Sequence, residues 1–172
     1  MIRRFFFQYL YPILVSYESL SGSAKVWIYP ASRKFYKHEV SAVEEKIIGF
    51  TSQWKNNDQE LKVSYQFLYD RFIIILAEDP EGKITNSDLN QVVKFIQHLQ
   101  SEYHLELLDR MNVHFKQGVY VQHKELKEFK KLLKNKSVSS KTIVFDHLIQ
   151  TKDELENFWE IPITESWYHR LL

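Results

Sequence analysis

Six polar side chains near the ends of predicted strands could carry acid–base chemistry or bind a small polar substrate: Glu78, Asp109, Arg110, Gln150, Thr151 and Lys152. Carboxylates and lysines act as general acids or bases once burial or a neighbouring charge moves their pKa towards neutrality. Glu78, Asp109, Arg110 and Lys152 are therefore the candidate catalytic residues, although no spacing among them is specific for a reaction. The structural alternatives are an ion pair between Asp109 and Arg110 and a helix cap at Thr151, and we favour them.

The C-terminal part of the chain combines aromatic and polar residues of the kind that anchor protein interfaces. The binding candidates are Gln150, Thr151, Trp159, Glu160, Ser166, Trp167 and Arg170. Tryptophan and arginine dominate binding hot spots, and large aromatic residues near a chain end are well ordered where they are docked. The alternative is that Trp159 and Trp167 seal the core, and the sequence favours this packing role.

The cysteine and histidine patterns exclude several kinds of site. The chain has no cysteine, which excludes disulfides, thiolate nucleophiles and cysteine-based zinc sites. Its seven histidines show no metal-ligand spacing. His114 and His123 could face each other across a hairpin, where we favour a solvated pair over a metal site. Asp146 and His147 are neighbours in a predicted strand and point to opposite faces, so they form no dyad. We predict neither a metal nor a cofactor.

The charge distribution gives no reason to expect nucleic acid as a partner. The formal net charge is +1, too small to create a long-range field. The lysine-rich stretch at 124–136 is interleaved with Glu125 and Glu128 and contains no arginine. A solvated helix face therefore explains this stretch better than non-specific nucleic-acid binding does.

The hydrophobic pattern predicts an α+β fold with a mixed, mostly antiparallel sheet and helices packed on it. Its start has the order βαββα of a ferredoxin-like unit, in which the first and third strands are central and the second is an edge. We expect a single domain over residues 25–172. The predicted strands are 25–30, 61–69, 72–76, 111–115, 119–123 and 142–148, and the predicted helices are 38–56, 87–103, 124–134 and one that begins at Thr151.

Residues 1–24 form an extension that resembles a weak signal peptide. Basic, apolar and small residues follow one another in the order that export signals use, but Gln8 and Pro12 interrupt the apolar part. The alternative is a start codon assigned too far upstream. We therefore predict a cytoplasmic protein, with export as the alternative, and no segment is apolar for long enough to span a bilayer.

Several short motifs resemble those of a group of small proteins from Bacteroidetes-type bacteria, and the resemblance covers roughly residues 25–172. Members of that group often carry the automatic label "ABC transporter ATPase". The motifs are Lys25-Val26-Trp27-Ile28-Tyr29, Arg71-Phe72-Ile73, Asp109-Arg110 with Asn112, Thr142-Ile143-Val144-Phe145, Gln150-Thr151-Lys152, Trp159-Glu160-Ile161-Pro162 and Ser166-Trp167. The chain departs from the group at residues 85–90. Members often have a stretch resembling Ser-Gly-Cys-Ser-Ile-Asp there, whereas this chain has Thr-Asn-Ser-Asp-Leu-Asn. The departure puts in doubt any shared activity that rests on that stretch.

An ATPase of the P-loop type is not supported by the residues. A P-loop surrounds phosphates with backbone N–H groups, which requires glycines followed by lysine and then serine or threonine. The nearest match is Gly82-Lys83, where Ala77 occupies the upstream glycine position and Ile84 occupies the hydroxyl position. The chain has four glycines in all, and no others form such a loop.

These patterns favour a non-catalytic binding or interaction domain, with a homodimer or another protein as the partner. The alternative is a hydrolase or transferase for a small substrate, with a polar site near Asp109, Arg110 and residues 150–152. Nucleic-acid binding through the lysine-rich helix is the weakest of the three hypotheses.

Overall fold

A computed structural model describes residues 14–56 and 59–172. Most of the basic and apolar part of the predicted signal-like segment falls in residues 1–13, outside the described residues. The chain divides into two compact units, the first ending at Leu108 and the second running from Asp109 to Leu172. None of the described helices is both long enough and apolar enough to cross a bilayer. The prediction of one domain over residues 25–172 stays a prediction.

The first unit is built on a three-stranded antiparallel sheet. The elements of this unit are β1 (Lys25–Pro30), α1 (Lys37–Thr51), β2 (Lys55–Asn56), β3 (Gln59–Glu60), β4 (Val63–Leu68), β5 (Phe72–Ala77) and α2 (Asn86–Tyr103), preceded by a 3₁₀ turn at Tyr17–Ser19. The sheet order is β1-β5-β4, and β2 and β3 form a separate short pair. The six residues of β5 are all buried, which confirms that the uninterrupted apolar run is a central strand.

The predicted ferredoxin-like start is present, but one strand position is wrong. Strand β4 is an edge, as predicted, and at Val63 it also pairs with Leu14. Strand β1 was expected to be central, whereas within the described residues it pairs with β5 alone. The reason is that the next long strand, β6 (Asn112–Gln117), pairs with the strands Tyr120–Glu125 and Ile143–Phe145 in a different sheet.

Helices α1 and α2 supply the apolar cover of the first core. Val43 and Ile47 of α1, and Val92, Ile96 and Leu99 of α2, belong to the same buried cluster as strand β5. The periodic pattern predicted that α1 would continue to residue 56, but it ends at Thr51. Trp54, the last residue of the apolar stripe, is instead in a loop, where its indole N–H donates to the carbonyl oxygen of Asp88 at 3.1 Å. Helix α2 is capped by Thr85, whose hydroxyl accepts from the backbone N–H of Asp88.

The second unit is a four-stranded antiparallel sheet with two helices and a docked C-terminus. The elements of this unit are β6, β7 (Tyr120–Glu125), α3 (Leu126–Lys134), β8 (Ile143–Phe145), α4 (Lys152–Phe158) and β9 (Glu160–Pro162), followed by 3₁₀ turns at Ile163–Glu165 and Trp167–Leu171. The sheet order is β7-β6-β8-β9. Its core joins Val113, Phe115, Phe129, Val144 and Tyr168, so the tail is held by the burial of its own aromatic ring.

Strand β8 is shorter than the predicted strand at 142–148. It ends at Phe145, because the Asp146 carboxylate turns back to accept from the backbone N–H of Leu148 at 3.0 Å. Local side-chain bonds of this kind compete with strand pairing. His147 therefore lies in a loop that follows the strand.

Candidate functional site

A row of hydrogen-bonded rings crosses the second sheet. His114 of β6 is directly opposite His123 of β7, as the hairpin predicted, with ring centroids 5.1 Å apart. The Nδ1 atom of His114 lies 3.3 Å from Nε2 of His147, and the indole N–H of Trp159 donates to Nδ1 of His147 at 3.3 Å. The expectation of a solvated pair is wrong for His114, which is 1% exposed.

The indole of Trp159 fixes the position of the proton on each of the next two rings. An indole N–H can only donate, so Nδ1 of His147 must accept and the proton of neutral His147 lies on Nε2. That proton points to Nδ1 of His114, which then accepts and carries its own proton on Nε2. The tautomers are inferred from these partners. The row is thus a directed series of neutral donors and acceptors.

His147 stays neutral over a wide pH range. Burial, and to a smaller extent the positive charge of Arg110, together lower its pKa to about 3. A charged ring would also place a second N–H against the indole N–H of Trp159. Both effects favour the neutral form.

The same geometry disfavours a metal ion in the row. A metal on Nε2 of His147 would leave the proton on Nδ1, the atom that accepts from Trp159. No group of three or more histidine, aspartate or glutamate side chains suited to a metal occurs within residues 14–56 and 59–172. We therefore interpret the row as a rigid polar layer of the sheet.

Asp109 and Arg110 have separate surroundings at the entrance to β6. The Asp109 carboxylate accepts from the backbone N–H of Met111 at 2.8 Å and from the side-chain amide of Asn112 at 2.8 Å. Arg110 is exposed and acts on His147 through its charge. The hydrogen bonds of Asp109 therefore stabilise the turn before β6 and its first residue, Asn112.

The residues at 150–152 begin helix α4. Thr151 is the N-cap, with its hydroxyl accepting from the backbone N–H of Glu154 at 3.3 Å. The Glu154 carboxylate accepts in return from the backbone N–H groups of Gln150 at 2.6 Å and Thr151 at 3.1 Å. The predicted capping box is therefore confirmed. Lys152 is largely buried, and its Nζ lies 3.7 Å from a carboxylate oxygen of Glu156.

This capping box gives a first prediction. Thr151→Ala is expected to lower the free energy of unfolding by about 1 kcal/mol, because the N–H of Glu154 loses its acceptor. Thr151→Ser is the matched control, since it keeps the hydroxyl oxygen. Urea unfolding followed by circular dichroism measures the difference. Equal stability of the two variants would contradict the cap.

The C-terminal binding candidates mostly hold the unit together. Trp159 is buried and packs edge-on against Phe145, with centroids 4.9 Å apart. Glu160 forms an ion pair with Lys116. Buried Ser166 donates to the carbonyl oxygen of Ile163 at 2.9 Å. The packing role that the sequence favoured for Trp159 therefore agrees with its position.

The remaining candidates are Trp167 and Arg170 in the second unit and Glu78 in the first. The backbone N–H of Trp167 donates to Asp146 at 3.3 Å, and its ring lies against Tyr168. Arg170 is exposed. Glu78 belongs to the first unit, where its carboxylate accepts from the backbone N–H of Ser21 at 2.5 Å and from its hydroxyl at 2.9 Å. Glu78 thus anchors the segment that leads into β1.

The most exposed apolar residues of the second unit lie at the β6–β7 turn. Val119 is 87% exposed and Tyr120 is 70% exposed. They follow Gly118, whose φ of +61° suits the first position of a two-residue turn. Sequence reasoning singled out neither residue. The signal was an apolar pair directly after a glycine turn, a place where polar residues are usual.

Strand β7 ends the second sheet. In the part of the chain that the structure describes, it pairs with β6 alone. Gln117 and Tyr120 are the pair that closes the two-residue turn, and the pair in that position is hydrogen-bonded. In an antiparallel ladder every second residue then bonds to the same neighbour, so Tyr120, Gln122 and Lys124 are the residues of β7 whose backbone groups bond to β6. The backbone groups of Val121 and Glu125 then point away from β6. We call this outward side of Tyr120–Glu125 the β7 edge.

The sequence matches no protein-family model, and no curated protein or solved structure shows significant similarity to it. The resemblance to small Bacteroidetes-type proteins therefore stays a prediction.

Proposed function

We propose that this protein is a non-catalytic interaction domain that binds a partner polypeptide through the β7 edge. The observation that carries the proposal is a terminal strand with outward backbone groups at Val121, next to the two most exposed apolar residues of the hairpin. An open strand edge is a template for pairing with another chain. Proteins that avoid such pairing place prolines, bulges or charges, lysine above all, on the edge. The half of the β7 edge next to the turn, Tyr120-Val121-Gln122, has none of these, and the charged residues Lys124 and Glu125 lie at its far end.

A small-substrate hydrolase or transferase is the alternative, and it has less support. The carboxylate of Asp109 and the hydroxyl of Thr151 are both engaged in local backbone bonds. A general acid or base needs a substrate proton within hydrogen-bond reach. The contacts of these groups explain their presence without a substrate.

Proline at position 121 tests the proposal. Val121→Pro removes an N–H that points away from β6, so the sheet should tolerate it while strand addition is blocked. Val121→Thr is the matched control, because it keeps both the N–H and the β-branched shape. Partners are captured from a lysate, identified, purified and titrated against each variant by calorimetry.

We expect Val121→Pro to weaken binding of a purified partner by more than tenfold, and Val121→Thr to leave it unchanged. Circular dichroism must show that both variants fold. Equal affinity of the two variants for the partner would reject the β7 edge. A protein that stays monomeric in light scattering and binds no partner would reject an interaction domain altogether.

We further propose a cytoplasmic location, with which a chain without cysteine is consistent. Intact-mass spectrometry of the protein from its native cells tests this, because cleavage of an export signal would remove the N-terminal segment. A native N-terminus near residue 25 in protein recovered from outside the cytoplasm would contradict the proposal, whereas the same N-terminus in cytoplasmic protein would indicate a start codon assigned too far upstream.

A further inference from the structure

The region that follows the β7 edge is the most basic part of the chain. Residues 120–141 contain seven lysines and two glutamates, a formal charge of +5, whereas the whole chain has +1. The remainder of the protein is therefore net acidic. The net positive charge is consequently concentrated in and after one strand.

Helix α3 holds most of these lysines on its solvent side. Its apolar side is anchored by the fully buried Phe129, with Leu126, Leu132 and Leu133 partly buried around it. Lys127, Lys130, Lys131 and Lys134 are all exposed. The packing of the helix thus turns a row of ammonium groups towards solvent.

The basic row begins at the β7 edge itself, because α3 starts at Leu126, directly after the last residue of β7. Lys124 of β7 lies within 3.8 Å of Glu128 in the first turn of α3. Side chains alternate between the two faces of a strand, so Tyr120, Gln122 and Lys124 share one face. Gln122 and Lys124 lie opposite the core residues Phe115 and Val113, so this is the core face of the sheet. Phe129 of α3 packs on Phe115, which places α3 on the same face. The lysines of α3 therefore lie on one identified face of the strand.

We infer that the strand that pairs with the β7 edge belongs to another protein and is acidic, with its carboxylates on the α3 side. This inference rests on the proposed function. Backbone pairing with β7 would hold the partner in an extended form, in which alternate side chains point to the same face. Carboxylates at alternate positions would then lie beside Lys124 and the exposed lysines of α3.

A second copy of this chain is a poorer occupant. Two copies that joined their β7 edges about a two-fold axis perpendicular to the sheet would carry both α3 helices on the same face. Their lysine rows would then be neighbours, and like charges oppose such an assembly. Single-stranded nucleic acid is also disfavoured, because this basic region has no arginine, and of its two aromatic residues Phe129 is buried and only Tyr120 is exposed.

Short labelled peptides test the inference with the full-length protein. The probe alternates valine and glutamate, and three controls accompany it: the same peptide with lysine in place of glutamate, the glutamate peptide with methylated backbone amides, and an oligothymidylate of equal charge. Fluorescence anisotropy measures binding at low and at physiological salt. We expect the glutamate peptide alone to bind, and salt to weaken it.

Three charge substitutions then locate the carboxylates. The combined variant Lys124→Gln, Lys127→Gln and Lys131→Gln is expected to weaken the glutamate peptide by about tenfold, since exposed pairs contribute little each and more together. The matched control replaces three exposed lysines of the first unit: Lys37→Gln, Lys62→Gln and Lys94→Gln. It removes the same charge and should leave the affinity unchanged.

The outcomes separate this inference from the proposed function. Loss of binding with Val121→Pro but not with the lysine variant would keep the strand-pairing function and overturn the acidic partner. Loss with the lysine variant but not with Val121→Pro would overturn strand pairing. Tighter binding of the oligothymidylate, a dimer that Val121→Pro dissociates, or no binding of the glutamate peptide would each overturn the inference.

Discussion

Replacing Trp159 by alanine is expected to lower the free energy of unfolding by about 3–5 kcal/mol, the usual cost of truncating a large buried aromatic. The side chain is 3% exposed and packs on Phe145. Its removal also takes away the donor that fixes the tautomer of His147. Urea unfolding followed by tryptophan fluorescence and circular dichroism measures the change.

Phe158 provides the matched control for Trp159. It is the preceding residue on the chain but is 58% exposed, so Phe158→Ala should change stability by no more than about 0.5 kcal/mol. Trp159→Phe keeps an aromatic ring and removes the N–H, and we expect an intermediate loss. Equal effects of Phe158→Ala and Trp159→Ala would show that Trp159 is not a core residue.

Acid is expected to destabilise the protein through His147. Its pKa is lowered to about 3 in the folded state from an ordinary value of 6.5. Between these two pH values the unfolded chain binds a proton that the folded chain does not, so stability falls as the pH falls. The slope is at most about 1.4 kcal/mol per pH unit, and the total loss is up to about 5 kcal/mol.

His147→Asn isolates this contribution. The side-chain amide oxygen of asparagine can accept from the Trp159 indole but does not titrate. We expect wild type to be the more stable protein at neutral pH and to lose this advantage progressively as the pH falls from about 6.5 towards about 3. Unfolding in urea at several pH values measures it.

His98 is the control for the titration of His147, because its side chain is largely exposed and lies 3.5 Å from a Glu102 carboxylate oxygen. His98→Asn should leave the pH dependence of wild type nearly unchanged. If His147→Asn kept the full acid sensitivity of wild type, burial of a neutral His147 would not be its cause.

The sequence was most informative where local chemistry decides the structure. Thr151 was predicted to cap a helix, and it does, because a cap needs residues within one turn of each other. The apolar run at Phe72 was predicted to be a central strand and is buried throughout. The pairing of His114 with His123 also followed from a short hairpin.

Sequence reasoning failed where contacts between distant residues decide. Helix α1 stops at Thr51 although its apolar stripe continues to Trp54, because the Trp54 side chain bonds to Asp88 outside the helix. The spacing of the apolar residues predicts which side chains are buried. A buried side chain can belong either to the helix or to the loop after it, so the spacing does not show where the helix ends. The position of β1 at an edge likewise depended on which sheet β6 would join.

The sequence by itself determined the α+β composition, the helix caps, the buried central strand and the absence of a phosphate-binding loop, because each depends on residue types at short spacing. Only the tertiary structure brought His147 to His114 and Trp159, and only strand order made β7 a terminal strand. Those features depend on the pairing of segments far apart in the chain. Short-range periodicity gives no information on such pairing.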